Sequence, residues 1–231
     1  QTLVEARDGL DRVRIASEDD EAGDRWLDHF EALVDVGGDG TSPPFLDVEA
    51  IRARCTAQTS GEQHYQELAR RGFEFSGSFR CLQNVWHREG EALARVELAD
   101  GEPSGVLPFA PGFLDGCVQA SLEALEGRLG TDGSAWMPSS IGRLAVIGPL
   151  PRAVWAHVVA HSASSDGRET VDLAIGADDG RVAMVMERLV LARVALPGVS
   201  ALAARGPGRA DDWLHEQRWA EIPAPSAGNA A

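Results

Sequence analysis

The sequence contains no lysine: its 21 basic side chains are all arginine, set against 36 acids, for a net charge of −15. The missing lysine reads as a composition bias rather than as chemistry. The negative surplus argues against nucleic acid or an anionic membrane surface as a partner. Cysteine is scarce as well. Cys55, Cys81 and Cys117 are too few and too scattered for a disulfide framework or a zinc site, which fits a reducing cytosol, and they read as small buried hydrophobes. No apolar run approaches the length of a membrane span, and no charged-then-apolar opening resembles a signal peptide, so the expected location is cytoplasmic. The glycines of VGGDGTSPP, Val36 to Pro44, lack the Lys-Ser/Thr of a phosphate-cradling loop, which leaves a turn-rich connector. There is a single tyrosine, Tyr65.

What is present is enough apolar material for a real core: 231 residues at 44% hydrophobic composition can make one large domain or two small ones. The most informative stretch is Pro108 to Leu125, PFAPGFLDGCVQASLEAL. Pro111 suits the first turn of a helix, where its missing N–H is no loss. After it, Phe113, Leu114, Cys117, Val118, Leu122 and Leu125 recur at helical spacing, on a face wide enough for a largely buried helix. Asp115 and Gln119, four apart, share one face of it. Two readings of Asp115 follow. A first-turn acid would simply favour the positive end of the helix dipole. A carboxyl in apolar surroundings would instead hold a proton that it can donate.

Along the chain, Thr2–Ala6 and Leu10–Ala16 alternate around Asp8-Gly9 as a hairpin, and Asp24–Asp35, with Trp26 and His29, reads as a further strand. Asp47–Cys55 and Glu62–Arg71 read as helices, acidic early and basic late, the second stopped by Gly72. Phe79–Arg88 and Glu91–Leu98 form a hairpin pattern; Trp136–Val146, Ala153–Ser162, Glu169–Gly176 and Arg181–Val194 follow as strands, the last two joined by Asp178-Asp179-Gly180. His157 and His161 would share a face of a strand without converging, and no metal site is expected there. Ala195–Arg209 reads as an exit linker, DDWLHEQRW with Trp213 and Trp219 as a short strand, and Pro223–Ala231 as a disordered tail.

APGFLDGCVQ resembles the HPALLDAALQ helix of polyketide synthase dehydratase domains, with Asp115 at the family's catalytic Asp and Gln119 at its Gln/His position. Upstream, GFEFSGSF (Gly72 to Phe79) is similar to the family's GYxYGPxF. HYQELARRG, WMPSSIGRLAVIGPLP and DDWLHEQRW extend the likeness in the family's order over most of the chain. The resemblance implies an α+β hot-dog fold, an antiparallel sheet wrapped around a central helix. The parts would be the end of a first hot dog (1–36), a linker with a short helix (37–62), a second hot dog (63–195), then exit linker, strand and tail (196–231). The implied reaction removes water from a 3-hydroxyacyl chain carried on the phosphopantetheine of an acyl carrier protein. Asp115 and Gln119 would be catalytic, and Phe75, Ser76, Phe79 and Leu114 would bind substrate. No cofactor or metal of the domain's own is implied. The implied partners are the carrier protein and neighbouring synthase domains, with a homodimer as a further expectation.

The sequence also departs from the family pattern. Phe75 stands for a Tyr, Ser76-Gly77 for Gly-Pro and Ala110 for a His. The family's HxxxGxxxxP motif, which carries its catalytic His, does not occur in these residues, and His29 matches a strand position without a catalytic role. The base is therefore expected from an upstream segment. Tyr65, set on a helix, is not expected to replace the lost hydroxyl. These departures define the alternative: a dehydratase-like domain that no longer dehydrates and serves as a scaffold or runs branching-type chemistry.

Overall fold

Alternation of apolar and polar residues on either side of Gly9 builds the first hairpin of the computed structural model, which describes residues 1–7, 9–18, 26–37, 44–98, 110–128, 134–162 and 167–195. In that hairpin β1 (Thr2–Arg7) pairs antiparallel with β2 (Leu10–Glu18), and the other edge of β2 takes β3 (Trp26–Val34). These three strands form one sheet within a compact unit, Gln1–Pro44; a second unit begins at Phe45.

The second unit opens with α1 (Val48–Arg54), capped by Asp47, whose carboxylate accepts the Ala50 N–H at 3.0 Å. Strand β4 (Ala57–Ser60) follows, and then α2 (Gly61–Arg70), which starts in a capping box between Ser60 and Gln63. Past its end Gly72 takes a φ of 91°, a left-handed conformation that glycine adopts without a Cβ penalty. A single turn of 3₁₀-helix, Gly77–Phe79, leads into β5 (Leu82–Arg88) and β6 (Glu91–Glu97). The long helix α3 (Pro111–Ala124) and strands β7 (Ser134–Val146), β8 (Ala153–Ala160), β9 (Arg168–Gly176) and β10 (Val182–Ala195) complete the described unit. Its seven strands lie in the order β4-β5-β6-β8-β9-β10-β7, every pair antiparallel.

Strand alternation sorts this sheet's side chains into two cores. Ala92, Ala94 and Val96 of β6 join Phe113, Cys117 and Ala120 of α3 in the larger one. Leu93, between them in sequence, belongs to the smaller cluster with Leu46, Ile51 and Cys55. Small residues let helix and sheet come close: a Cβ on Gly116 would stand 3.2 Å from Val96 Cγ1, and one on Gly112 would run into the Ser78 carbonyl. Each fully buried side chain such as Leu125 or Leu173 contributes about 2 kcal/mol of transfer free energy. The helix lies against β5, β6, β8 and β9, the wrapped-sheet arrangement of the hot-dog fold.

Most expected elements are present, with ends moved by a residue or two. Two differences have physical reasons. The four residues of β4 were expected to be linker, because Ala-Gln-Thr-Ser carries no apolar alternation; the strand is held by pairing with β5. Phe79 was expected to begin a strand but closes the 3₁₀ turn, and β5 starts at Leu82. Expectations for Asp8, Pro108, most of the 36–44 connector, the exit linker, the Trp213–Trp219 strand and the tail lie outside the described residues. Among the described residues no helix is long and apolar enough to cross a membrane.

Candidate active site

Because Pro111 is the first residue of α3 and Ala110 offers no capping side chain, Asp115 falls in the second turn. The first-turn dipole reading of this acid is thereby corrected, since the unpaired N–H groups lie behind it. The i, i+4 relation to Gln119 is realised: Gln119 Nε2 donates to Asp115 Oδ2 at 2.7 Å. Asp115 is half-buried and Gln119 buried, and both line a cavity of about 290 Å³. Its walls are mostly apolar and aromatic, including Leu68, Phe73, Phe75, Trp136 and Leu191.

Burial pushes the Asp115 carboxyl above its ordinary range, partly offset by the hydrogen bond from Gln119. The cause is visible in the walls: among the described residues no cation pairs with Asp115. Arg71 lines the same cavity, with its Nε on Glu67 Oε1 at 3.0 Å. Two residues along, burial also pushes the Cys117 thiol well up, so it is an inert core group, and Cys55, Cys81 and Cys117 are all buried and free. Two buried polar atoms here have no partner among the described residues: Gln119 Oε1, an acceptor, and Trp136 Nε1, a donor.

Of the expected substrate-binding residues, Phe75 lines the cavity with Asp115 and Gln119, whereas Ser76, Phe79 and Leu114 are not among its lining side chains. Ser76 is exposed and precedes the 3₁₀ turn; its carbonyl accepts the Phe79 N–H. Phe79 is 43% exposed, while its carbonyl accepts from Gln119 Nε2 at 3.4 Å. Leu114 precedes Asp115 on the helix, so its side chain is rotated away and packs on the core.

Tyr65 is a residue that reading the sequence missed. Its ring lies 6.0 Å from that of Phe75, and its hydroxyl donates to the Phe79 carbonyl at 3.2 Å. A signal for it exists in the i, i+3 and i, i+4 pattern of His64, Tyr65 and Leu68, the buried face of α2 immediately before the loop. Tyr65 is not among the cavity's lining side chains, and its hydroxyl is engaged with backbone.

No histidine lines the Asp115 cavity among the described residues. His29 bonds Ser17 at 2.7 Å, His64 bonds Glu123 at 2.7 Å and His87 bonds Thr59 at 3.0 Å. His157 and His161 go to different carboxylates, Glu91 at 2.8 Å and Asp172 at 3.0 Å, so they do not converge. A second cleft, about 470 Å³, lies past the C-terminal end of α3 around His87, Glu126 and Arg128. It is larger but lacks aromatic walls. Beside it His87, Glu123 and Glu126 bring ligand-type atoms within 4.8 Å of one another; Glu123 is hydrogen-bonded to His64 at 2.7 Å, and Glu126 lies 3.3 Å from His87 Nδ1.

Comparison with known proteins puts this geometry in context. Residues 43–200 match the family described as polyketide synthase dehydratase N-terminal domain. Polyketide synthase GfsE of Streptomyces halstedii is 28% identical over 227 residues; the match takes in 95% of this chain but only 6% of that protein's length. Among solved structures, the dehydratase domain of RzxB from Pseudomonas fluorescens superposes with a TM-score of 0.72 at 20% identity, covering 82% of this chain and 66% of that one. The CurK dehydratase has been solved as two inactive mutants, one with an aspartate changed to asparagine and one with a histidine changed to phenylalanine. Each matches with a TM-score of 0.71 at 22% identity, over 85% of this chain and 68% of the other.

Proposed function

The chain belongs to the polyketide synthase dehydratase family, and on that premise we propose that the Asp115 cavity supplies the acid half of a site that dehydrates a 3-hydroxyacyl thioester. The substrate would arrive on the phosphopantetheine arm of an acyl carrier protein, with neighbouring synthase domains as the standing partners. The observation that carries the proposal is a half-buried carboxyl, raised by burial, whose hydrogen-bond partner is an amide rather than a cation. Such a group keeps a proton to higher pH than an exposed acid and can give it up in the transition state.

A base takes the proton from C2 beside the thioester carbonyl, and the C2–H electron pair becomes the C2–C3 double bond. The C3–O bond breaks, and Asp115 protonates the departing hydroxyl, which leaves as water. The unpartnered Gln119 Oε1 is an acceptor suited to the substrate's 3-hydroxyl, holding its oxygen near the Asp115 carboxyl. Phe75, Trp136 and Leu191 would cover the acyl chain and keep bulk water away. The described histidines are engaged elsewhere, so we assign the base to a histidine outside the described residues. The inactive aspartate and histidine mutants of the CurK dehydratase support such a two-residue division of labour.

Intact-protein mass spectrometry tests this. A 3-hydroxyacyl carrier protein incubated with the complete dehydratase region should lose one water. Asp115→Asn should slow that loss by about 10²–10⁴-fold. Full turnover in Asp115→Asn overturns the assignment of the acid.

A further inference from the structure

We propose that Tyr65 is a positioning residue for Asp115, acting through the Phe79 carbonyl and the Gln119 amide. This rests on the reading of Asp115 as the proton donor. The geometry is a continuous chain of hydrogen bonds between two helices. The Leu82 N–H donates to the Tyr65 hydroxyl at 3.1 Å, and that hydroxyl donates to the Phe79 carbonyl at 3.2 Å. The same carbonyl accepts from Gln119 Nε2 at 3.4 Å, and Nε2 donates to Asp115 Oδ2 at 2.7 Å.

Every amide and phenol proton along this path is used. A carbonyl oxygen has two lone pairs, filled here by a phenol from α2 and an amide from α3. An amide NH₂ has two protons, one for Phe79 and one for Asp115. Gln119 is therefore held at both N–H positions. Its rotation about the last side-chain bond is fixed, and so is the direction in which its unpartnered Oε1 points. Tyr65 is only 4% exposed, and its ring is fixed by Phe75 at 6.0 Å and by the Arg80 guanidinium 4.6 Å above it. The 77–82 segment is packed tightly on α3, which approaches it so closely that Gly112 has no room for a Cβ beside the Ser78 carbonyl. Without the hydroxyl, the Phe79 carbonyl would lose its strongest anchor and Gln119 would gain freedom to turn away from Asp115.

The titratable and charged groups facing this path are His64, Arg80 and Cys81 around Tyr65, and Cys117 and Arg71 near Asp115. Burial pushes the Tyr65 phenol up to about 12, so it stays protonated throughout the working pH range.

Because Tyr65 is the only tyrosine, fluorotyrosine incorporation gives one fluorine signal at this position with no further engineering. Its ¹⁹F shift, followed from about pH 4 to 9, should show an inflection that disappears in Asp115→Asn and is strongly reduced in Gln119→Ala. Any inflection that survives Asp115→Asn does not come from this carboxyl and is thereby separated. An inflection undiminished in Gln119→Ala means through-space coupling and overturns the relay, as does a signal blind to Asp115→Asn. A kinetic arm uses Tyr65→Phe in the complete dehydratase region. There kcat should fall about tenfold at similar KM, with the alkaline limb moved upward, because a loosened Gln119 no longer holds the Asp115 carboxyl down. In a Gln119→Ala background the same substitution should add nothing; multiplicative effects overturn the proposal. A failed acid assignment would appear separately, as full turnover in Asp115→Asn.

Discussion

Asp115 on α3 and Glu91 at the start of β6 are both largely withdrawn from water, yet they move in opposite directions. Asp115 is held above its ordinary range, with Gln119 as its hydrogen-bond partner. Glu91 is held down at about 2, chiefly by Arg54, with His157 and Arg88 helping against the cost of burial. Arg54 Nε reaches both Glu91 oxygens at 3.0 and 2.9 Å, Arg88 Nε reaches Oε2 at 2.8 Å, and His157 Nε2 reaches Oε1 at 2.8 Å. Burial alone therefore does not mark a catalytic acid; the charge of the partners decides. The carboxyl with a neutral partner and a cavity is the one we propose for proton transfer. The one surrounded by cations ties α1, β5, β6 and β8 together.

The largest contrast should come from neutralising each acid in turn. Asp115→Asn is expected to remove turnover by the factor given above while leaving stability at pH 7 unchanged or raised. The sign follows from linkage. A carboxyl whose folded pKa is raised loses stability as pH climbs from its unfolded pKa to its folded one, so at pH 7 the charge is a cost that Asn relieves. A lowered denaturation midpoint for Asp115→Asn at pH 7 would make this acid structural.

Glu91→Gln should do the reverse, with turnover largely kept and stability reduced by about 2 kcal/mol at pH 7. That figure discounts the shift to about 2 because Arg54 and Arg88 are 40% and 50% exposed and can be re-solvated. For a depressed folded pKa the stability is present above the unfolded value near 4.5 and lost as pH falls toward 2. Urea midpoints of wild type and Glu91→Gln should therefore converge across that acid window. A gap that stays constant with pH would mean that packing, not charge, is what the substitution removes.

The two acids also differ in how much of their role could be read from the chain. Asp115 and Gln119 are legible because their interaction is local: four residues apart on an apolar helix, inside a motif whose order resembles the family's. Glu91 is not legible, since it follows a hairpin turn and its main partners, Arg54 and His157, are 37 and 66 residues away. His157 was expected to share a strand face with His161, and nothing in that spacing indicates that each meets a different carboxylate. Tyr65 escaped for a related reason. It acts on the backbone carbonyl of Phe79, and a carbonyl contact places no requirement on residue type. The strands and the apolar helix were legible in alternation and helical spacing, and their hot-dog arrangement through the resemblance; β4 was not, being stabilised by its neighbour strand rather than by its own sequence.

Removing one cation at a time makes the finest division within the Glu91 cluster. Arg88 is half exposed, and it precedes Glu91 across the tight turn between β5 and β6. Its loss leaves Arg54 on both carboxylate oxygens and His157 on one of them, so Glu91 remains paired. His157 itself is held below its ordinary range by burial, against the pull of Glu91, so at pH 7 it contributes a neutral hydrogen bond and Arg54 supplies the charge. Arg88→Ala should accordingly cost only about 0.5 kcal/mol, the scale of an exposed ion pair, and its effect should fade in high salt. A loss as large as that of Glu91→Gln would mean that the turn arginine, not Arg54, holds this carboxylate ionised.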